Sequence, residues 1–278
     1  MSDGVWVKVH PEDAGGGLGA AVIDEDASNG ADFTTLNDPD GDGKNYRLAS
    51  FTSTSGGSLV VSESGIAQVL LIGGGGGAGW TQTGAGAAGG GGAGGFVETS
   101  VLIPEGTYTV TVGEKGSNGG GGSRAYAGGS SSVGDLISAA GGGAGSGGQS
   151  GAGSSGASGG GGDNRDRDTF VVGQGHAGGP GQYINGPCGG GAGGPGYSGK
   201  DPGEDGGDWT RGGPGRSSSL TGSSVTYARG GTGGNVTGGP GVWPDPVEYG
   251  DGNNGNYGGG AFPSKQGGDG VVYVRVEI

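Results

Sequence analysis

In the second half of the sequence, large aromatic and charged side chains lie in short segments that separate runs of glycine. Half of the aromatic residues lie between residues 163 and 262. An aromatic ring that stacks on the apolar face of a sugar, beside Asp, Arg and Asn side chains that bond its hydroxyls, is typical of glycan recognition. The chemistry that these segments predict is therefore binding of a carbohydrate or cell-wall surface.

The receptor-binding candidates are the aromatic residues of these segments and their charged neighbours. They are Trp209, Arg211, Trp243, Tyr249, Tyr183, Asp163 and Arg165. Two other interpretations remain open at this point. Some aromatic rings could cover the end of a glycine bundle and keep it dry, and the run Asp163–Asp168 could be a solvated turn whose charges pair with one another.

Three carboxylates at alternate positions suggest a cation site. Asp38, Asp40 and Asp42 are followed by Gly43, which matches the start of an EF-hand calcium loop. The twelfth position of such a loop is Ala49 instead of Glu, and no flanking helices are expected. The sequence leaves a Ca²⁺ site and a plain acidic turn as alternatives.

Signals for an enzyme are weak. His10 and His176 are isolated, and Cys188 lacks a nearby basic residue that would activate a thiolate. Asp and Glu residues in the late segments leave a glycosidase as a distant alternative. We therefore predict that the protein is not an enzyme and carries no cofactor.

Composition limits the fold and the partners. Glycine accounts for 84 of 278 residues, hydrophobic residues for 29%, and the net charge is −14. This much glycine disfavours helices and one large hydrophobic core, and the acidic charge disfavours nucleic-acid binding. A single cysteine excludes an internal disulfide. The sequence predicts no signal peptide and no membrane span.

Short apolar segments predict a β framework. Strands are expected near 46–72, 96–112 and 271–276, with Val110 and Val272 in the core. Side chains alternate in 271–276, so that Val272, Val274 and Val276 face one way and Val271, Tyr273 and Arg275 the other. The predicted fold class is mostly β plus irregular structure, with a small β-sandwich as its framework.

The glycine tracts between these strands predict a second kind of core. Small residues permit extended helices with three residues per turn, which have no internal hydrogen bonds and must bond to one another laterally. We expect a bundle of polyglycine-II helices supported by the sandwich, with variable loops within 163–262. A collagen triple helix is disfavoured because the Gly-X-Y register of 190–201 fails at Pro202.

Two regions are predicted. Residues 1–45 hold ten acidic and two basic side chains and are interpreted as an acidic docking region. Residues 46–278 would contain the β framework and the polyglycine-II domain.

Four segments in a fixed order resemble the glycine-rich tail proteins of bacteriophages. They are YRLASFTSTSGGSLVVSESGIAQVLLIGGGGGAG (46–79), GGAGGFVETSVLIPEGTYTVTVGEKG (91–116), GGSSSVGDLISAAGGGAG (128–145) and GGDGVVYVRVEI (267–278). The opening GVWVKV (4–9) is similar to a short segment of phage tail fibres. The chain is also similar in style to T-even phage adhesins, in which loops of a polyglycine-II sandwich bind the host receptor.

The resemblance implies a minor tail or tail-tip protein of the virion, made in the host cytoplasm. Its partners would be other tail proteins, further copies of itself in a homo-oligomer such as a trimer, and a host cell-surface glycan or protein. A virion component with a purely structural role is the main alternative. A cellular glycine-rich surface protein is disfavoured because this sequence lacks the helical domain with which such proteins begin. An ice-binding bundle is disfavoured because the sequence shows no flat, repeated Thr/Ala face.

Overall fold

The computed structural model is all-β in the residues that it describes. These residues are 19–79, 88–120, 124–147, 152–162, 170–179, 187–196, 212–233, 257–261 and 266–278. The strands are β1 (Val22–Ile23), β2 (Asp32–Asn37), β3 (Asn45–Phe51), β4 (Gly57–Glu63), β5 (Gly65–Ile72), β6 (Phe96–Ile103), β7 (Gly106–Thr111), β8 (Ser131–Val133), β9 (Ile137–Ala139), β10 (Arg216–Ser218), β11 (Val225–Tyr227) and β12 (Val271–Glu277). Within those ranges there is no helix, and hence none that could cross a membrane.

The strands form two five-stranded sheets and a separate hairpin. Sheet 1 has the order β1-β4-β7-β8-β9, sheet 2 has the order β2-β3-β12-β5-β6, and β10 pairs with β11. All strand pairs are antiparallel. The expected strands near 46–72, 96–112 and 271–276 are all present.

A hydrophobic core lies between the two sheets. Sheet 1 contributes residues such as Leu59 and Val110, and sheet 2 contributes residues such as Phe51 and Val272, all of which are buried. The alternation predicted for β12 is confirmed, because Val272, Val274 and Val276 enter this core while Val271 and Tyr273 enter a second one. The small β-sandwich is thus a folded unit with a side-chain core.

The second core covers the outer face of sheet 2. Tyr227 of β11 is buried there, with its ring 6.4 Å from that of Phe96 and 6.5 Å from that of Tyr273. Leu220, in the turn between β10 and β11, packs in the same cluster. Tyr227 lies within the range 163–262 that is predicted to hold variable loops, but it is a core residue of β11.

Residues 19–45 are part of the sandwich. β1 pairs with β4 in sheet 1, and β2 pairs with β3 along its whole length in sheet 2. The boundary predicted at residue 45 therefore does not separate two folded units in the described part of the chain. The docking role of the acidic region stays a prediction.

The glycine-rich segments between strands form the rest of the molecule, and we call them the glycine lattice. They are 73–79, 88–95, 113–120, 124–129, 140–147, 152–162, 170–179, 187–196, 212–215, 228–233, 257–261 and 266–270. Almost all of their residues lie outside helices and strands. Their backbone N–H and C=O groups bond to neighbouring segments at N···O distances of 2.7–3.2 Å.

The bonding partners in the lattice repeat every three residues. In segment 73–79, Gly73, Gly76 and Gly79 donate to segment 88–95, Gly74 and Gly77 donate to segment 124–129, and Gly75 donates to Gly268. Carbonyls of the same segment accept from segments 113–120, 140–147 and 257–261. Six neighbours therefore surround segment 73–79 and bond most of its backbone groups.

Close approach explains why these positions are glycine. A Cβ added at Gly75 would overlap the carbonyl oxygen of Gly259, and one added at Gly142 would overlap that of Gly92. Both obstacles are backbone atoms that are themselves held by hydrogen bonds, so they cannot move aside as a flexible side chain would. A branched side chain at either position would separate the segments.

Candidate functional site

The lattice is attached to one end of the sandwich. Segment 73–79 continues β5 directly, and segment 88–95 leads directly into β6. Ser131 of β8 fastens this junction, since its Oγ donates to the carbonyl of Ile72 at 2.6 Å and accepts from the N–H of Gly113 at 2.9 Å. Ser131 is fully buried, so it supplies both bonds where water does not reach.

At the other end of the lattice, a row of backbone hydrogen bonds joins residues that border the connecting segments. Each N–H donates to the next carbonyl in the series Gly79, Gly89, Ser146, Gly161, Gly90 and Pro187, at 2.8–3.0 Å. Five of these six residues lie within two positions of a connecting segment, namely 80–87, 148–151, 163–169 or 180–186. We call this row the loop-bearing end.

Cys188 links two more residues that border connecting segments to the loop-bearing end. Its carbonyl accepts from Gly179, the last described residue before 180–186, at 2.7 Å. Its Sγ accepts from Gly233, the last one before 234–256, at 3.4 Å. Burial raises the pKa of the Cys188 thiol to about 12, so the side chain is a neutral packing and bonding group at neutral pH.

The predicted receptor-binding residues fall in the connecting segments. Asp163 and Arg165 belong to 163–169, and Tyr183 belongs to 180–186. The other candidates are Trp209, Arg211, Trp243 and Tyr249, in 197–211 and 234–256. All seven lie outside the described residues. The structure places lattice residues that border 163–169, 180–186 and 234–256 at the loop-bearing end, whereas Gly196 and Gly212, which border 197–211, are not part of its hydrogen-bond row.

The described chain ends lie at the opposite end of the sandwich. The carbonyl of Gly19 accepts from Ile66, near the start of β5, whereas the end of β5 at Ile72 leads into the lattice. The N–H of Ile278 donates to Asn45, the first residue of β3. The molecule therefore has two distinct ends, with the loop-bearing end on one side and Gly19 and Ile278 on the other.

The turn at 38–44 also lies at that opposite end, and its three carboxylates bond to different protein groups. Asp38 accepts from the N–H of Gly43 at 2.8 Å, and Asp42 accepts from the N–H of Lys44 at 3.0 Å and the hydroxyl of Tyr46 at 2.9 Å. Asp40 pairs with Arg275. In the part of the chain that the structure describes, no group of three His, Cys, Asp or Glu side chains is placed to hold a metal ion.

Arg275 is a buried cation at the centre of this arrangement. It lies 2.7 Å from the Asp40 carboxylate, donates to Gln68 at 2.6 Å and stacks over the Tyr46 ring. It also donates to the Leu220 carbonyl at 3.3 Å, which ties the β10–β11 turn to sheet 2. The carboxylate of Asp40 thus has a structural partner, which accounts for it without a bound cation.

Two residues whose hydrogen bonds connect parts of the structure, Gln174 and Ser131, were not identified from the sequence. Gln174 accepts from the N–H of Ala140 through its side chain at 2.8 Å and from the N–H of Phe96 through its carbonyl at 3.1 Å, so it bridges the edges of both sheets. Ser131 joins the sheets to the lattice. Both residues interrupt or border glycine tracts and look like ordinary polar substitutions, so no sequence signal distinguishes them.

One known protein family matches most of the chain. The sequence matches a family described as a glycine-rich domain over residues 52–277. The chain belongs to this family. A comparison with curated proteins gives no match. The glycine-rich domain includes every strand from β4 to β12 and the whole lattice, so it comprises framework and lattice together.

Proposed function

We propose that this glycine-rich domain is a bacteriophage tail-tip or minor tail protein whose connecting segments contact the host cell surface. The proposal rests on the observation that borders of connecting segments and the described chain ends lie at opposite ends of the molecule. Borders of five connecting segments are held together at the loop-bearing end, while Gly19 and Ile278 lie at the far end of the sandwich. This arrangement suits a protein that is anchored by one end and presents the other outward.

We also propose that the lattice is a bundle of polyglycine-II helices. Such a helix has three residues per turn and bonds only to its neighbours. A repeat of three in the bonding partners and six neighbours around segment 73–79 are what hexagonal packing of these helices requires. Backbone bonding of this kind is independent of the connecting segments, so their sequences can vary at little cost to the scaffold.

The proposed contact chemistry is that of glycan recognition. Trp209 stacks on a sugar face while Arg211 bonds a hydroxyl or an anionic substituent, and Trp243 with Tyr249 forms a second contact. Asp163, Arg165 and Tyr183 extend the surface. Several copies on one particle add their weak contacts through avidity, so no single contact has to be tight.

Adsorption of phage particles to host cells tests the proposal. Particles that carry Trp209→Ala together with Trp243→Ala should assemble normally and adsorb at least about tenfold less, equivalent to roughly 1.4 kcal/mol of effective binding. Leu136→Ala is the control, because Leu136 is an exposed apolar residue in the turn between β8 and β9 and belongs neither to the connecting segments nor to the end that holds Gly19 and Ile278. Adsorption by the control should be unchanged.

Normal adsorption by well-assembled double-mutant particles would refute the receptor role and favour a purely structural virion component. Absence of the chain from purified particles, tested with an antibody, would refute the virion assignment itself.

A further inference from the structure

Strand β6 forms one edge of sheet 2 and is the longest edge strand of the sandwich. It has eight residues and pairs only with β5. Its first N–H is covered by Gln174, but within the described residues no backbone hydrogen bond joins residues 97–103 to any element other than β5. Natural proteins seldom leave such an edge uncovered, because its free N–H and C=O groups invite another strand.

The side chains beside this edge are also incompletely covered. Val97 and Val101 project from β6 toward the core between the sheets, but both are only partly buried. Ile137, from the opposite edge strand β9, is partly buried against the same core. On the other face of β6, Leu102 is 44% exposed. An added strand with apolar side chains on its core-facing side would cover these residues.

One segment outside the described residues has the composition of such a strand. Residues 4–10 read GVWVKVH, in which Val5, Val7 and Val9 alternate with larger or charged residues. The other segments of comparable length are rich in Gly, Asp or Pro, which disfavour strands. Seven residues are also close to the length of the open edge at 97–103.

The position of Gly19 determines in which direction an added strand would run along β6. Gly19 lies beside Ile66 on the opposite side of β5 from β6, and residues 19–21 run parallel to β5. From there the outer edge of β6 is three strand spacings away, about 14 Å. Residues 11–18 can span up to about 26–29 Å. They suffice for a reversal at this end of the sheet, which makes the added strand parallel to β6.

We propose that residues 4–10 of the same chain form a sixth strand of sheet 2, parallel to β6. Val5, Val7 and Val9 lie beside Val97, Thr99 and Val101 and complete the core between the sheets. Lys8 then lies on the outer face beside Ser100, where its long side chain reaches the carboxylate of Glu98 on the same face. Opposite charges on neighbouring strands stabilise this pairing.

Disulfide trapping in the full chain tests the proposal. Val7→Cys with Thr99→Cys should oxidise readily within one chain, because paired cysteines on adjacent strands meet the geometry of a disulfide. Trp6→Cys with Thr99→Cys is the matched control, since residue 6 faces the other side of the strand. We expect at least about tenfold more disulfide from the first pair. Cys188 is buried and does not compete.

Two further pairs determine the direction. Val5→Cys with Val97→Cys should form a disulfide in the parallel arrangement, and Val5→Cys with Val101→Cys in the antiparallel one. Equal yields from the Val7 and Trp6 pairs would overturn the added strand. Disulfides only between chains would overturn the same-chain assignment, and a preference for the Val101 pair would overturn the parallel direction.

Discussion

The sandwich and the glycine lattice are stabilised in opposite ways. In the sandwich, valine, leucine and phenylalanine side chains fill the space between sheets, and backbone bonds run along regular strand pairs. In the lattice, most positions are glycine and the backbone groups of neighbouring segments fill much of the interior themselves. One chain therefore contains a core that depends on large side chains and a core that depends on their absence.

The difference determines which changes each region tolerates. When a side chain in such a core is shortened, the loss of stability grows with the volume that is removed, and neighbouring residues relax partly into the space. A backbone core cannot relax, because each segment is bonded to several others at once. We therefore expect small, graded effects in the sandwich and all-or-none effects in the lattice.

The largest effect is expected for Gly142→Val or Gly75→Val. The new side chain would overlap the backbone of Gly92 or Gly259, and separation of these segments breaks several hydrogen bonds together. Either variant should give no soluble folded protein, measured by yield and thermal unfolding.

Gly120→Val is the matched control for the lattice. Gly120 is exposed, and a Cβ there would meet no atom within 4 Å. This variant should fold with a Tm close to that of the original protein. An unchanged yield and Tm for Gly142→Val would disprove close packing of the lattice.

A graded loss is expected in the sandwich. Val272 is fully buried between the sheets, so Val272→Ala should lower the free energy of unfolding by about 1–3 kcal/mol. Val110→Ala should behave similarly. Val172 is 85% exposed, so Val172→Ala should change little. Equal effects of Val272→Ala and Val172→Ala in denaturant unfolding would contradict the side-chain core.

Ser131→Ala probes the junction where the two regions meet. The variant leaves the N–H of Gly113 and the carbonyl of Ile72 without their buried partner, which should cost about 1–2 kcal/mol. Ser132→Ala, at the half-buried neighbouring position, is the control. If hydrogen exchange at Gly113 were equally slow in Ser131→Ala, the serine would not fasten the junction.

The sequence predicts the sandwich better than the lattice. The alternation of β12 and the apolar runs of β5 and β6 carry a clear periodicity, and these strands formed where expected. β2, β10 and β11 are short or polar, and what places the hairpin is packing of Leu220 and Tyr227 on sheet 2, which is a tertiary effect. The lattice register was unpredictable because one glycine tract looks like another. For the candidate site, sequence composition located the connecting segments, but only the hydrogen bonds of the loop-bearing end show that the borders of 163–169, 180–186 and 234–256 lie together.

The smallest change in stability is expected in the exposed turn at 38–44, where a charged side chain and not packing contributes to stability. The N–H of Lys44 and then the hydroxyl of Tyr46 lower the pKa of Asp42 below its ordinary value of 3.8. A carboxyl whose pKa is lower in the folded state stabilises the protein above its unfolded pKa, and this contribution is lost as the pH falls through the folded pKa. Wild type should therefore exceed Asp42→Asn in Tm at neutral pH, and the difference should shrink below about pH 4. Since Asp42 is exposed, the difference should be smaller than for any core variant. A Tm difference that stayed constant on acidification would mean that the asparagine acts through the shape of the turn and not through the lost charge.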